Sequence, residues 1–107
     1  MALPLMAVGG HGLISVVSNE MPGDVSQMIE AAERDDFAAA RAIHHRIMPL
    51  MLANFIEANP IPVKAAMAAM GLIEETYRLP MVGPKPDAKE KIVKTLKDLG
   101  LVKGAYV

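Results

Sequence analysis

Leu13-Ile14-Ser15-Val16-Val17 is short, β-branched and almost wholly apolar, and Gly9-Gly10-His11-Gly12 leads into it. The run ends at Ser18-Asn19-Glu20-Met21-Pro22-Gly23, a stretch of loop and cap residues. An apolar run of this length between turn signals predicts a strand covered on both faces, as in a parallel sheet. Such a strand cannot stand alone. Each residue brings one backbone donor and one acceptor, and each buried group left unpaired costs roughly 1–3 kcal/mol. Leaving half of them unpaired would cancel much of the ~5–15 kcal/mol that holds a domain together. The strand therefore needs partners that the rest of this sequence does not supply: the chain is part of a larger protein or assembles with one.

Most of the chain around this strand reads as helix. Upstream, residues 3–8 form the tail of a helix closed by Gly9 and Gly10. Downstream, Val25, Met28, Ile29 and Ala32 make one buried stripe, and Arg34-Asp35-Asp36 breaks it. A second, longer helix is predicted from Phe37 to Ile56, with Phe37, Ala40, Ile43, Ile47, Leu50 and Met51 inward and a kink at Pro49. Asn59-Pro60-Ile61-Pro62 predicts a stiff, extended connection, with Pro62 opening a helix that runs to Met70 and ends at a left-handed Gly71. Leu72 to Lys85 shows no periodicity. In the last helix Asp87 and Glu90 resemble a capping box, Ile92, Val93, Leu96 and Leu99 form the stripe, Glu90 and Lys94 form an i,i+4 pair, and Gly100 is the stop.

Composition agrees with packed helices. Hydrophobic residues make up 52% of the 107 residues and aromatics only 4%, which suits helices better than a β-sandwich. The formal net charge of -1 argues against a nucleic-acid partner. Six lysines fall in residues 85–107, a pattern explained most simply by one solvated helix face. With no cysteine, disulfides, thiolate catalysis and cysteine–zinc sites are excluded. The N-terminal apolar run lacks a basic flank and is interrupted by glycines, so no secretory signal is expected. Nor does any stretch approach the ~20 apolar residues of a membrane span. The expected location is the cytoplasm, with no membrane partner.

Several stretches taken together resemble one family. Gly9-Gly10-His11-Gly12-Leu13-Ile14-Ser15-Val16 with Asn19 is similar to the last barrel strand of the dihydrodipicolinate synthases. Phe37-Ala38-Ala39-Ala40-Arg41 with Met48-Pro49-Leu50 is similar to that family's next long helix. Asn59-Pro60-Ile61-Pro62-Val63-Lys64, Gly71-Leu72 and Arg78-Leu79-Pro80-Met81 are similar to its C-terminal helical region. No single one of these is decisive, but NPIPVK and RLPM in this order and spacing are specific. They also favour this branch over the sialic-acid-lyase and keto-sugar-acid aldolase relatives. The likeness runs from about Leu3 to Val102; residues 103–107 extend past the usual ending.

The resemblance implies an α/β fold: the last βα unit of a TIM (β/α)8 barrel plus a C-terminal helical region, mostly α within this chain. Residues 1–34 would end the barrel and residues 35–107 would form the helical region. It further implies a lyase with a class I aldolase-like, Schiff-base mechanism, in which a lysine binds pyruvate and the enamine attacks aspartate semialdehyde in lysine and diaminopimelate biosynthesis, with no cofactor. That lysine belongs to an earlier strand, so no catalytic residue is expected in this chain and the isolated chain should be inactive. Barrel active sites lie at the C-terminal ends of strands, so this segment would supply one pocket wall. By the resemblance Ile14 is the substrate-binding position, touching pyruvate through its backbone carbonyl. The remaining barrel segment is the implied partner, in a homo-oligomer. The residues leave one alternative open: a free-standing helical interaction module derived from the barrel enzyme, without catalysis.

Other residues invite stronger readings than they support. Lys64 follows Pro62 in the first turn of a helix, whereas a nucleophilic amine needs desolvation or a cationic neighbour; a structural or solvated role is expected. His44 and His45 point ~100° apart on a helix and, with His11, stand at no recognised ligand spacing, so no metal site is expected. Met67 and Met70 read as gap-filling core. Asp35-Asp36 and Glu74-Glu75 read as solvated charges, and Ser15 and Ser18 have no visible base partner.

Overall fold

The computed structural model describes residues 1–102; Lys103 to Val107 lie outside the described residues. Among the described residues there are five α-helices: α1 (Ala2–Ala7), α2 (Pro22–Glu33), α3 (Phe37–Ala53), α4 (Ile61–Ala69) and α5 (Pro86–Asp98), with a 3-10 turn at Val17–Asn19. The chain divides into two compact units, Met1–Met48 and Pro49–Val107.

In the first unit α2 contacts both α1 and the 3-10 turn. Val25, Met28 and Ala32 are buried as the spacing predicts, while Ala31 takes the place beside them and Ile29 is only half-buried. Pro22 starts α2 one residue before the expected loop ends, because a proline at the first helical position gives up an N–H that has no helical partner anyway. Asp24, in the first turn, pairs with Arg46 of α3.

The predicted strand at 13–17 is the main local difference. No residue among those described is in a strand, and Val17 enters the 3-10 turn instead. The cause is the one argued above: without a neighbouring strand the ladder has no second side. Ile14 is fully exposed, so its backbone is left to solvent.

In the second unit α4 packs on α5. The α4 face is built from small residues, Ala65, Ala66 and Ala69, alongside Ile61 and Val63; α5 brings Ala88, Ile92, Val93 and Leu96. Leu99, expected in that stripe, is the C-cap and only half-buried. Four other expectations are corrected here. The long helix ends at Ala53 rather than Ile56, after passing through Pro49. Residues 59–62 are not extended: a turn with a cis Asn59–Pro60 bond, closed by Ile61 N donating to Ala58 O at 2.9 Å, leads directly into α4, with Pro62 at its second position. The capping box is not formed either. Lys85 is the N-cap and Pro86 the first residue of α5, which leaves Asp87 inside the first turn, where its charge acts on the helix dipole. Lys94 pairs with Asp98 instead of Glu90.

Four helices stop in the same way. Past α1, α2, α4 and α5, residues Gly9, Asp35, Gly71 and Gly100 take positive φ values of 103°, 59°, 77° and 73°. In each case paired backbone bonds reach back: Gly10 to Leu5 and Gly9 to Met6, Asp36 to Ala31 and Asp35 to Ala32, Leu72 to Met67 and Gly71 to Ala68, Leu101 to Leu96 and Gly100 to Lys97. These are Schellman closures. Asp35 is the exception in residue type, and Asp36 beside it caps α3 by accepting from Ala39 N at 3.1 Å. The Asp35-Asp36 pair therefore ends one helix and starts the next. A non-glycine residue in the left-handed region carries a steric cost, so Asp35→Gly is expected to stabilise the chain by about 0.5 kcal/mol after the added freedom of the unfolded state is subtracted. The check is an upward shift of the urea midpoint with an unchanged slope.

Candidate functional site

Ile14 lies in the linker between α1 and the 3-10 turn. Gly9 supplies the left-handed turn after α1, and Gly10 passes so close to Leu5 that a Cβ there would lie 2.9 Å from the Leu5 carbonyl oxygen. The far end of the linker is tied by two serines: Ser18 N donates to Ser15 Oγ at 3.1 Å, and Ser18 Oγ donates to the Ser15 carbonyl at 2.7 Å. Between these anchors, no hydrogen bond among the described residues engages the backbone of Leu13 or Ile14. The Ile14 carbonyl is thus open to an outside donor. Leu5, Val8, Leu13 and Ile14 are exposed on this unit, an apolar set with the character of an uncovered interface.

The second unit holds a polar cluster that the sequence reading did not find. Lys64, in the first turn of α4, places its Nζ 5.5 Å from the centre of the Tyr77 ring, within cation–π range. Tyr77 donates its hydroxyl to Glu75 Oε2 at 3.2 Å, and Glu75 Oε1 meets Lys89 Nζ of α5 at 2.7 Å. Glu57 Oε2 accepts from Lys85 N at 2.9 Å. Glu75 is therefore not merely a solvated charge. Apart from Tyr77–Glu75, the contacts join residues 13 to 28 positions apart, with no shared period, which is why spacing did not reveal them.

Burial, the neighbouring Glu75 carboxylate and the hydrogen bond to it, together with the charge of Glu57, push the Tyr77 phenol from 10.0 up to about 12. The folded-state value lies above the unfolded one, so this contribution to stability is complete below pH 10 and is lost as pH rises toward about 12. In a Tyr106→Phe variant, which leaves Tyr77 as the sole phenol, the phenolate absorbance is expected to develop near pH 12. A midpoint near 10 would show that the cluster does not form.

His44 and His45 meet edge to face with ring centres 5.5 Å apart. Burial, then the positive N-terminus and His45, lower the His44 pKa below its usual 6.5. Met67 and Met70 are half-buried on and beside α4. Glu20 and Asn54 are buried polar residues.

Residues 1–99 match the model of the dihydrodipicolinate synthetase family. The 4-hydroxy-tetrahydrodipicolinate synthase of Koribacter versatilis is 50% identical over 107 residues, which is all of this chain and 36% of the relative. The crystal structure of dihydrodipicolinate synthase from Thermotoga maritima superposes with a TM-score of 0.90 at 40% identity, over 94% of this chain and 34% of that one. The enzyme from Aquifex aeolicus gives 0.90 at 43% identity, over 92% and 34%. The chain thus spans about a third of the length of the relatives it matches. Its fold is that of the last βα unit and the C-terminal helical region of a (β/α)8 barrel, with helices and no strand among its described residues.

Proposed function

The chain belongs to the dihydrodipicolinate synthetase family, and from that premise we propose that it is the C-terminal third of a pyruvate-dependent, class I aldolase-type lyase. The observation that carries this reading is a family match over residues 1–99 that accounts for only about a third of each relative. In the complete enzyme a lysine amine condenses with the pyruvate ketone, releasing water. The enamine then attacks aspartate semialdehyde, in lysine and diaminopimelate biosynthesis. Residues 1–34 finish the barrel and residues 35–107 form the helical region outside it. The enzyme works in the cytoplasm as a homo-oligomer.

In this reading the chain contributes a wall and packing rather than a reacting group. Ile14, at the end of the completed strand, presents its backbone carbonyl to pyruvate; the open carbonyl and the uncovered apolar side chains around it support that role. The described lysines all lie on or immediately beside α4 and α5. None has the strand-borne, desolvated setting that makes an amine nucleophilic at neutral pH. The chain alone is therefore inactive. When it is incubated with pyruvate and borohydride, intact mass spectrometry is expected to show no stoichiometric adduct. An adduct mapped to Lys64 would place the nucleophile in this chain and overturn the assignment.

A further inference from the structure

Leu72 to Lys85 is a stretch of 14 residues with neither helix nor strand. Its backbone does little to hold it in place. Leu72 N closes α4, Thr76 N donates to Glu74 O at 3.0 Å, Met81 N donates to Arg78 O at 2.9 Å, and Lys85 O accepts from Lys89 N at 2.9 Å. Between Ile73 and Pro84, then, backbone bonds join the segment only to itself. What fastens it to the helices is a set of side chains. Tyr77 stands at the centre, with its ring beneath Lys64 of α4 and its hydroxyl on Glu75, whose other oxygen holds Lys89 of α5. Gly83 comes back alongside the same ring, where an added Cβ would lie 3.5 Å from it. Glu57 secures the far end at Lys85 N. Leu72, Ile73, Leu79 and Val82 are left exposed along the segment.

We infer that residues 72–85 form a strap held on α4 and α5 by a latch, Lys64–Tyr77–Glu75–Lys89, and that the latch can open while both helices stay folded. Partly exposed contacts of these kinds are individually weak. Here they run in series through Tyr77 and Glu75, so losing Glu75 frees the strap from α5 and losing the Tyr77 ring frees it from α4. Apart from the two end bonds, Leu72 N to Met67 O and Lys89 N to Lys85 O, the backbone bonds of α4 and α5 do not involve the strap, so opening it between Ile73 and Pro84 leaves the helices intact. Closed, the latch fixes the arrangement in which the four apolar side chains are displayed; open, it releases them. This inference does not depend on the enzymatic reading.

Trypsin provides the test, because Arg78–Leu79 is the one cleavable site in the strap, Lys85 being followed by proline. Cleavage of a segment that opens locally tracks the population of the open form. In the full chain, cleavage at Arg78–Leu79 should be at least tenfold slower than at the same bond in a free peptide of residues 72–85. Glu75→Gln and Lys89→Met, both away from the scissile bond, should each accelerate it several-fold, with cleavage after Lys91 and Lys94 in α5 unchanged. Tyr77→Phe should give a smaller acceleration, since the ring stays beneath Lys64. Wild-type cleavage as fast as the peptide, or no acceleration in Glu75→Gln and Lys89→Met, overturns the latch. Acceleration spread equally into α5 overturns it as well, because the contacts would then belong to the helical core.

Discussion

Fusing this chain behind the barrel portion of its Koribacter versatilis relative is expected to turn an inactive polypeptide into a working lyase. The two halves should give no turnover apart, and together a rate that exceeds either alone by ~10⁶-fold or more, the scale of ordinary enzymatic acceleration. In the proposed reading the gain would come from pairing Leu13–Val17 as the last strand, which would cover Leu13 and Ile14 and bring the Ile14 carbonyl to the pocket. Within that fusion, Ile14→Val removes one methyl, costs ~0.5–1.5 kcal/mol of stability and leaves the KM for pyruvate within a few-fold. Ile14→Pro deletes a ladder hydrogen bond in a central strand and should abolish activity. Steady-state kinetics together with the melting temperature separate the cases. A collapse of pyruvate affinity in the valine variant at unchanged stability would mean that the side chain, not the backbone, meets the substrate.

The second large effect lies in the α4–α5 core. Leu96 is completely buried on α5, and its carbonyl accepts the bond from Leu101 N that closes the helix. Leu96→Ala loses the transfer energy of the removed carbons and leaves a cavity between elements already lined by alanines, so a loss of about 2–5 kcal/mol is expected. That is a large fraction of any small domain's stability, and α5 should detach. Leu79→Ala, at an exposed position of the strap, should stay within ±0.5 kcal/mol. Urea unfolding followed by circular dichroism compares the two directly; equal effects would show that α5 does not pack as described.

The helices were legible in the sequence because their signals are local and periodic. Val25, Met28 and Ala32, and Ile92, Val93 and Leu96, are buried at the positions their spacing assigns, and Gly9, Gly71 and Gly100 mark helix ends. The errors came where two local rules competed. Asp87 with Glu90 has the look of a capping box, but Pro86 sets the first turn two residues earlier, with Lys85 as the N-cap. Asn59-Pro60-Ile61-Pro62 reads as extended because each proline disfavours helix before it, whereas the chain turns at Pro60 and enters α4 at once. The strand at 13–17 was read from composition, and composition cannot supply its neighbours. The Tyr77 cluster was invisible for a different reason: it is assembled by the fold from residues that share no pattern along the chain.

The Schellman closures also bear on the order of events during folding. Each of these four helix ends is specified within six consecutive residues, so α1, α2, α4 and α5 can stop at the right place before any distant contact exists. Elements built on local contacts form quickly, and long-range strand pairing is slow because loop closure must precede its reward. The helices would then be waiting when Leu13–Val17 is still searching for its ladder, and the pace of assembly would be set by the one segment of this chain that cannot complete itself.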